Sequence, residues 1–68
     1  RDLYLDYVKK FIGREVEILI EESGTKGHTR HFIEAEVSGG KFLPNQIINA
    51  KAVSESNGRL ECSYLNRN

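Results

Sequence analysis

The first twelve positions carry apolar residues at the spacing of an α-helix. Two adjoining rows, each repeating every four residues, are formed by Leu3, Tyr7 and Phe11 and by Tyr4, Val8 and Ile12. Asp2 stands where an N-cap is expected, and Gly13 stands where the helix should end. Twelve residues cannot bury so wide a stripe among themselves, so we expect the helix to pack on the rest of the domain or on an upstream domain.

From Gly13 onward the apolar period changes to two, the period of a half-buried β-strand. The inward set comprises Val16, Ile18 and Ile20, and the outward set comprises Glu15, Glu17 and Glu21. Leu19 is an apolar exception on the outward face. Residues 23–27 are rich in glycine and small polar residues, so a turn is predicted there.

A longer alternating stretch covers residues 28–37. One face carries Ile33, Ala35 and Val37, and the other carries Arg30, Phe32, Glu34 and Glu36. This stretch is long for one strand, and we expect it to bend and to count as two.

The remaining sequence predicts a loop at residues 38–45, a strand at 46–54 and a closing hairpin. In the strand, Ile48, Ala50 and Ala52 alternate with Asn49 and Lys51. Asn57 and Gly58 form the dipeptide typical of a type I′ turn. The last strand is expected to place Leu60, Cys62 and Tyr64 on one face, opposite Arg59, Glu61 and Ser63.

One helix followed by short strands, with turns about every ten residues, predicts a mostly β fold. We expect a small five-stranded antiparallel barrel of the SH3/OB-like kind, since closure removes the exposed strand edges. Residues 1–12 would be a helix leading from a missing upstream domain, and residues 13–68 the barrel. The chain begins at Arg1 and contains no Met, which favours a piece of a longer protein.

Size and composition exclude several classes of function. A chain of 68 residues buries only about 60% of its unfolded surface, too little for a walled substrate cavity, so catalysis by this chain alone is not expected. No apolar run approaches the ~20 residues of a membrane span. The single cysteine, Cys62, rules out an internal disulfide, a four-cysteine zinc site and a cysteine-ligated iron–sulfur cluster, and it fits a reducing cytoplasm.

Several residues with possible chemistry have simpler interpretations. His28 and His31 fall on opposite faces of a strand, so they should not chelate one ion. Cys62 is in phase with inward residues, which favours an inert buried thiol over a nucleophile paired with His31. The four acidic residues of the first strand region are expected to form a solvated face; they are Glu15, Glu17, Glu21 and Glu22.

One basic and aromatic set is compatible with nucleic-acid binding, although the residues alone favour an ordinary solvated surface, because alternating charge is common. Lys26, His28, Arg30 and Phe32 cluster around one turn and the outward face after it, offering cations for phosphates and a ring for a base. Lys41, Lys51 and Arg59 extend the set if the sheet curls. Ten Lys and Arg balance ten Asp and Glu, so binding would depend on local segregation of charge and not on an overall excess.

A family resemblance covers nearly the whole chain and is strongest in FIGREVEILIEESGTKGHTRHFIEAEV, residues 11–37. A helix ending in glycine, a strand of the form G-x-x-V-E-V-L-V/I-E and a G-x-T-R turn resemble the TRAM domain of radical-SAM tRNA methylthiotransferases. The version with Gly27, Thr29, Arg30 and Phe32 is most similar to the threonylcarbamoyladenosine branch. The stretch at residues 46–52 resembles the closing strand of the family, with Asn45 where glycine is usual.

The resemblance implies a division of labour. The TRAM domain would hold tRNA, through the candidate residues Lys26, His28, Arg30, Phe32, Lys51 and Arg59, while upstream domains add a methylthio group to a modified adenosine beside the anticodon. Those upstream domains would carry 4Fe-4S clusters and S-adenosylmethionine, and this chain would carry neither catalytic residues nor a cofactor. The implied partners are tRNA and the upstream radical-SAM domain, in the cytoplasm and away from membranes.

Two other interpretations remain open. The barrel could serve protein contact or act as a spacer, in which case the surface around Arg30 should be neutral. Alternatively, the barrel could bind RNA as part of an RNA uracil methyltransferase or as a stand-alone protein. A C-x3-C-x2-C triplet upstream of Arg1 would establish radical-SAM chemistry.

Overall fold

A computed structural model describes residues 2–22 and 24–65. The elements, in chain order, are α1 (Leu3–Lys9), β1 (Glu15–Ile20), β2 (Lys26–Thr29), β3 (Glu34–Ser38), β4 (Ile47–Ser56) and β5 (Arg59–Tyr64). The protein is therefore mostly β, with one short helix before five strands, as the sequence predicts. Ser23 of the predicted turn, Arg1 of the predicted helix and residues 66–68 of the predicted barrel lie outside the described residues.

The five strands close into a barrel in the order β1-β2-β3-β5-β4. Four neighbouring pairs are antiparallel, but β3 and β5 pair in parallel, with Ala35 opposite Leu60. The prediction of a wholly antiparallel barrel is wrong at this pair. The reason is geometric: strands that alternate in direction around a closed ring must be even in number, so five strands leave one parallel pair.

The core lies inside the barrel and follows the predicted alternation. The burial of β1 and of the first half of β4 alternates strictly, with every second residue buried. The buried apolar residues are Val8, Val16, Ile18, Ile20, Ile33, Ala35, Val37, Ile48, Ala50, Ala52, Leu60 and Cys62. Because these strands have one solvent-exposed face and one buried face, the alternation in the sequence predicts the core residues.

The long stretch at residues 28–37 bends and contributes to two strands, as predicted: its first two residues end β2, residues 30–33 turn, and the rest lies in β3. Gly27, expected in the turn before it, lies instead within β2 and is buried. A Cβ at Gly27 would stand 2.1 Å from the carbonyl oxygen of Leu19. Glycine is therefore needed because the backbones of β1 and β2 approach closely here.

The helix is shorter than the predicted twelve residues, and turns occupy residues 10–13. Asp2 is the N-cap, since its carboxylate accepts hydrogen bonds from the backbone N–H of Tyr4 and Leu5. Val8 is completely buried, whereas Leu3 is 74% exposed. The predicted apolar stripe thus packs on the barrel through only part of its width. No helix in the described ranges is long and apolar enough to cross a membrane.

Two turns use asparagine in the left-handed backbone region. Asn57 and Gly58 have φ of 54° and 82°, as a type I′ hairpin turn between β4 and β5 requires. Asn45, with φ of 68°, donates its backbone N–H to the carbonyl of Ile20 at 2.8 Å. Asparagine tolerates this region better than most residues, which allows it to stand where the resembling family has glycine.

Candidate nucleic-acid interface

The candidate interface is built on a tight turn between β2 and β3, which we call the Thr29 turn (residues 29–33). The Thr29 side chain is buried, and its hydroxyl oxygen accepts hydrogen bonds from the backbone N–H of His31 and of Ile33, both at 3.2 Å. The backbone N–H of Phe32 donates to the carbonyl of Thr29 at 2.9 Å. Because the turn satisfies its own backbone groups, it is preorganised, and the side chains at 30–32 project from a fixed base.

Phe32 occupies an unusual position at the tip of this turn. Its φ is +63°, and 85% of its surface is exposed. A bulky residue in the left-handed region is uncommon and costs about 1–2 kcal/mol, and an exposed aromatic ring forgoes its hydrophobic burial. Within residues 2–22 and 24–65 the ring stacks on no other ring. Backbone outliers of this kind cluster at functional sites.

Beside Phe32 lies a shallow depression of about 260 Å³, which we call the Phe32 groove. Its apolar floor comes from Leu19 and Ile47, which are register partners on β1 and β4 and are 47% and 66% exposed. His28 and Arg30 supply cationic or polar edges, and Glu17 supplies an acidic one. The groove therefore combines exposed apolar surface with charged groups at its rim.

A second depression of about 190 Å³, the His31 groove, lies on the other side of Arg30. His31 lines it together with Glu15, Val16, Glu17 and Arg30. The His31 ring packs against Phe11 at a centroid distance of 5.5 Å, and Phe11 meets Tyr7 edge to face at 5.4 Å. Phe11, in the turn after α1, therefore packs on the ring of His31 and supports it.

The structure brings together three of the six predicted site residues: His28, Arg30 and Phe32 line one groove. Lys26 lies two residues before His28 on β2, so its side chain is on the same outward face. Arg30 and Phe32 are outward, as predicted, but they belong to a turn and not to a strand.

Lys51 and Arg59 lie apart from that group. Lys51 is on β4, where Glu15 of β1 is its register partner and stands between it and β2. Arg59 is on β5, two strands from β2, and its guanidinium lies 3.5 Å from a carboxylate oxygen of Glu61. Lys41, the other predicted extension, lies exposed in the loop before β4.

Carboxylates are interleaved with the cations on the outer face. Lys26 faces Glu36 and His28 faces Glu34 across β2 and β3. The Nδ1 atom of His28 also lies 3.5 Å from a carboxylate oxygen of Glu21. Arg30 differs, since it makes no ion pair with any residue in the described ranges. Among the predicted cations at the turn, Arg30 is therefore the one best placed to meet an external anion.

A larger depression than these two grooves, about 780 Å³, lies at the opposite end of β2. It is wide and open, and Glu21 and Glu22 line it together with Lys26 and His28. Its two carboxylates beside one lysine and one histidine give it the same charge balance as the His31 groove. It lacks Arg30 and the exposed ring of Phe32, so it is a weaker candidate for nucleic acid than the grooves beside the Thr29 turn.

His28 lies on β2, but His31 belongs to the Thr29 turn, so the prediction that both lie on one strand is wrong. His28 packs near Glu21 while His31 packs on Phe11, so the two imidazoles have different surroundings. The described residues hold no group of three or more His, Cys, Asp or Glu suited to a metal ion. Cys62 is buried, and burial, aided by the nearby Glu61 carboxylate, raises its pKa to about 11. A thiol that is neutral at pH 7 is a poor nucleophile.

Sequence reasoning missed two contributors to the grooves. His31 is not among the six predicted site residues, although the Thr29 hydroxyl two residues earlier is a recognisable turn signal. Ile47 begins β4 on the outward side, and its nearness to Leu19 follows from strand pairing that local patterns do not reveal.

Comparisons with protein-family models, with curated proteins and with solved structures find no match to this chain.

Proposed function

We propose that this chain is an RNA-binding module that holds tRNA through Lys26, His28, Arg30 and Phe32. One observation carries the proposal: a preorganised turn presents Arg30, which makes no ion pair within residues 2–22 and 24–65, next to an exposed aromatic ring in a strained backbone conformation. Arginine pairs with phosphate oxygens, and an exposed ring stacks on a base whatever its sequence.

The resemblance extends this proposal to the parent protein. The motifs at residues 11–37 are similar to those of the TRAM domain of tRNA methylthiotransferases, and a small barrel after a short helix is compatible with that domain. In the proposed parent, an upstream radical-SAM domain with 4Fe-4S clusters performs the methylthio transfer in the cytoplasm. The Thr29 turn positions the tRNA, and the chain described here supplies no catalytic group.

A protein-contact function is the second candidate. It is favoured by the exposed apolar residues Leu19 and Ile47 beside Phe32 and by the carboxylates among the cations. Apolar patches rimmed by polar groups mark many protein-interaction sites. The two candidates differ in their response to salt, because phosphate contacts release condensed counterions and apolar contacts do not.

Titration of fluorescently labelled tRNA at several salt concentrations tests the RNA proposal. We expect affinity to fall as salt rises, and Arg30→Ala to flatten the log–log slope by about one. Phe32→Ala should cost ~1–3 kcal/mol of binding with the slope unchanged. Lys10→Ala removes an exposed charge on the helix end and Leu43→Ala an exposed apolar side chain in the loop before β4, so both serve as matched controls.

We expect Arg30→Ala and Phe32→Ala to leave the fold intact, because both side chains are exposed. If Arg30→Ala and Phe32→Ala bind tRNA as tightly as the unchanged chain, the Thr29 turn is not the site and the protein-contact function is favoured. Binding that is insensitive to salt would contradict phosphate recognition.

A further inference from the structure

Arg30 lines two grooves, and each groove contains one ring of the Thr29 turn. It lines both the Phe32 groove and the His31 groove, and the two rings belong to consecutive residues of the Thr29 turn. Adjacent Cα atoms are only about 3.8 Å apart, so two groups bound in the grooves would be close neighbours. A cation thus belongs to two neighbouring sites for flat groups.

Both rings are ready to take a partner without rearrangement of the turn. His31 is exposed, and its ring is backed by Phe11. Phe32 is held outward by its positive φ. The backbone N–H groups of His31 and Phe32 are already bonded to Thr29, so the turn need not be ordered again on binding. Preorganisation of this kind lowers the entropy lost on association.

The dimensions of the grooves limit what can occupy them. Volumes of about 260 and 190 Å³ lie below the roughly 300–1,000 Å³ of pockets that bury drug-sized ligands. Each groove therefore suits a single flat ring system that remains partly open to solvent. Neighbouring bases of an RNA strand are such groups, and the phosphate that joins their nucleotides carries the charge that Arg30 would meet.

We propose that the Thr29 turn binds two consecutive unpaired nucleotides, one base on His31 and the other on Phe32, with Arg30 on the phosphate between them. This inference rests on the proposed RNA-binding function and adds to it a second stacking residue, His31, and a substrate class, single-stranded RNA. Bases in a duplex are stacked on each other and cannot reach the rings, whereas loops and bulges present them.

The first test varies the RNA and leaves the protein unchanged. A fluorescently labelled RNA hairpin with an unpaired loop is compared with a blunt duplex of the same composition. We expect the hairpin to bind more tightly. Replacing one loop base by an abasic ribose keeps the phosphates, and at the bound position it should weaken binding by about fivefold to 150-fold, the range that one base–aromatic stack contributes.

The second test varies His31. His31→Ala should weaken hairpin binding within the same range, and His31→Phe should restore it because the ring returns. Two neighbouring abasic positions should weaken binding, one for each ring. At one of them His31→Ala should cause little additional loss, since the base that stacks on His31 is already gone. Thermal unfolding of each variant checks the fold, and Leu43→Ala again controls for loss of exposed apolar surface.

The outcomes separate this inference from the proposed function. In one outcome, hairpin and duplex bind with equal, salt-dependent affinity, and neither the abasic sites nor His31→Ala weaken binding. That result overturns the two-base site and leaves the RNA-binding function supported. If no RNA binds at any salt concentration, both proposals fall. A preference for the hairpin that His31→Ala and the abasic change both remove supports the two-base site.

Discussion

Phe32 combines two unfavourable features in one residue: a left-handed backbone and an exposed ring. Packing of the Phe32 side chain does not compensate for the backbone strain, because the ring is exposed. A conformation of this kind persists because the Thr29 hydroxyl and the neighbouring backbone bonds determine it. The residue is therefore more easily explained by what it binds than by what it does for the fold.

This explanation predicts that stability and binding respond in opposite directions at Phe32. Phe32→Gly removes the strain, at the entropic cost of glycine, so the free energy of unfolding should stay unchanged or rise by up to about 1 kcal/mol. Binding of tRNA should weaken, because the ring is lost. Denaturant unfolding and RNA titration measure the two effects. A variant that is clearly less stable would show that the ring supports the fold.

Cys62 carries a pH dependence whose direction follows from its burial. Its pKa is raised from 9.0 to about 11, first by burial and then by Glu61, so the folded state holds a proton that the unfolded state releases. The resulting stability is fully present below pH 9 and is lost as pH rises toward about 11, by roughly 1–3 kcal/mol. Unfolding of the unchanged chain and of Cys62→Ala at increasing pH isolates this contribution. Parallel stability curves would contradict it.

At the scale of the elements, the inward and outward residues of the strands were predictable, because one face of a strand is solvent-exposed and the other is buried. Val16, Ile18 and Ile20 face the core while Glu15 and Glu17 face solvent, and this contrast is local in the sequence. The Thr29 turn was less predictable, because alternation continues through Arg30 and Phe32 as if the strand did not end. Only the hydrogen bonds of the buried Thr29 and the positive φ of Phe32 distinguish a turn from a strand there.

Gly27 shows how a close contact between elements depends on one residue. In Gly27→Ala the new Cβ would meet a carbonyl oxygen of β1, which cannot rotate away as a side chain can. We expect destabilisation of at least ~1–3 kcal/mol, together with loss of the neighbouring grooves. Gly13→Ala is the comparison, since nothing lies within 4 Å of its Cβ position and only its φ of +91° opposes the change. Equal stability losses in the two variants would show that the approach of β1 and β2 is not limiting.

The whole molecule has no net charge, so recognition of an anion depends on where its charges lie. Glu17 lines both grooves beside Arg30 and opposes a phosphate at either. Charge balance was visible in the sequence, but the placement of Glu17 against Arg30 was not, because β1 and the Thr29 turn are brought together only by the barrel.

The position of Glu17 beside Arg30 predicts that removing the Glu17 charge strengthens tRNA binding. Glu17→Gln should strengthen tRNA binding by about threefold, the effect of one charge several ångströms away in water, and more at low salt. Glu22→Gln changes the net charge equally but lies at the opposite end of β2. If both variants strengthen binding equally, the effect comes from overall charge and not from the grooves. Titration at two salt concentrations distinguishes these cases.

The parallel pair of β3 and β5 has a consequence for the order of folding. The β1–β2, β2–β3 and β4–β5 pairs join segments that are near neighbours in sequence. Two pairs join distant segments: β1–β4, where Val16 lies opposite Ala50, and β3–β5, where Ala35 lies opposite Leu60. Contacts between distant segments form slowly, because chain entropy must be lost before they are gained. The β1–β4 and β3–β5 pairs should therefore form after the hairpins. Because β5 lies between β3 and β4 in the closed barrel, the nascent chain exposes the open edges of those two strands until its last strand arrives.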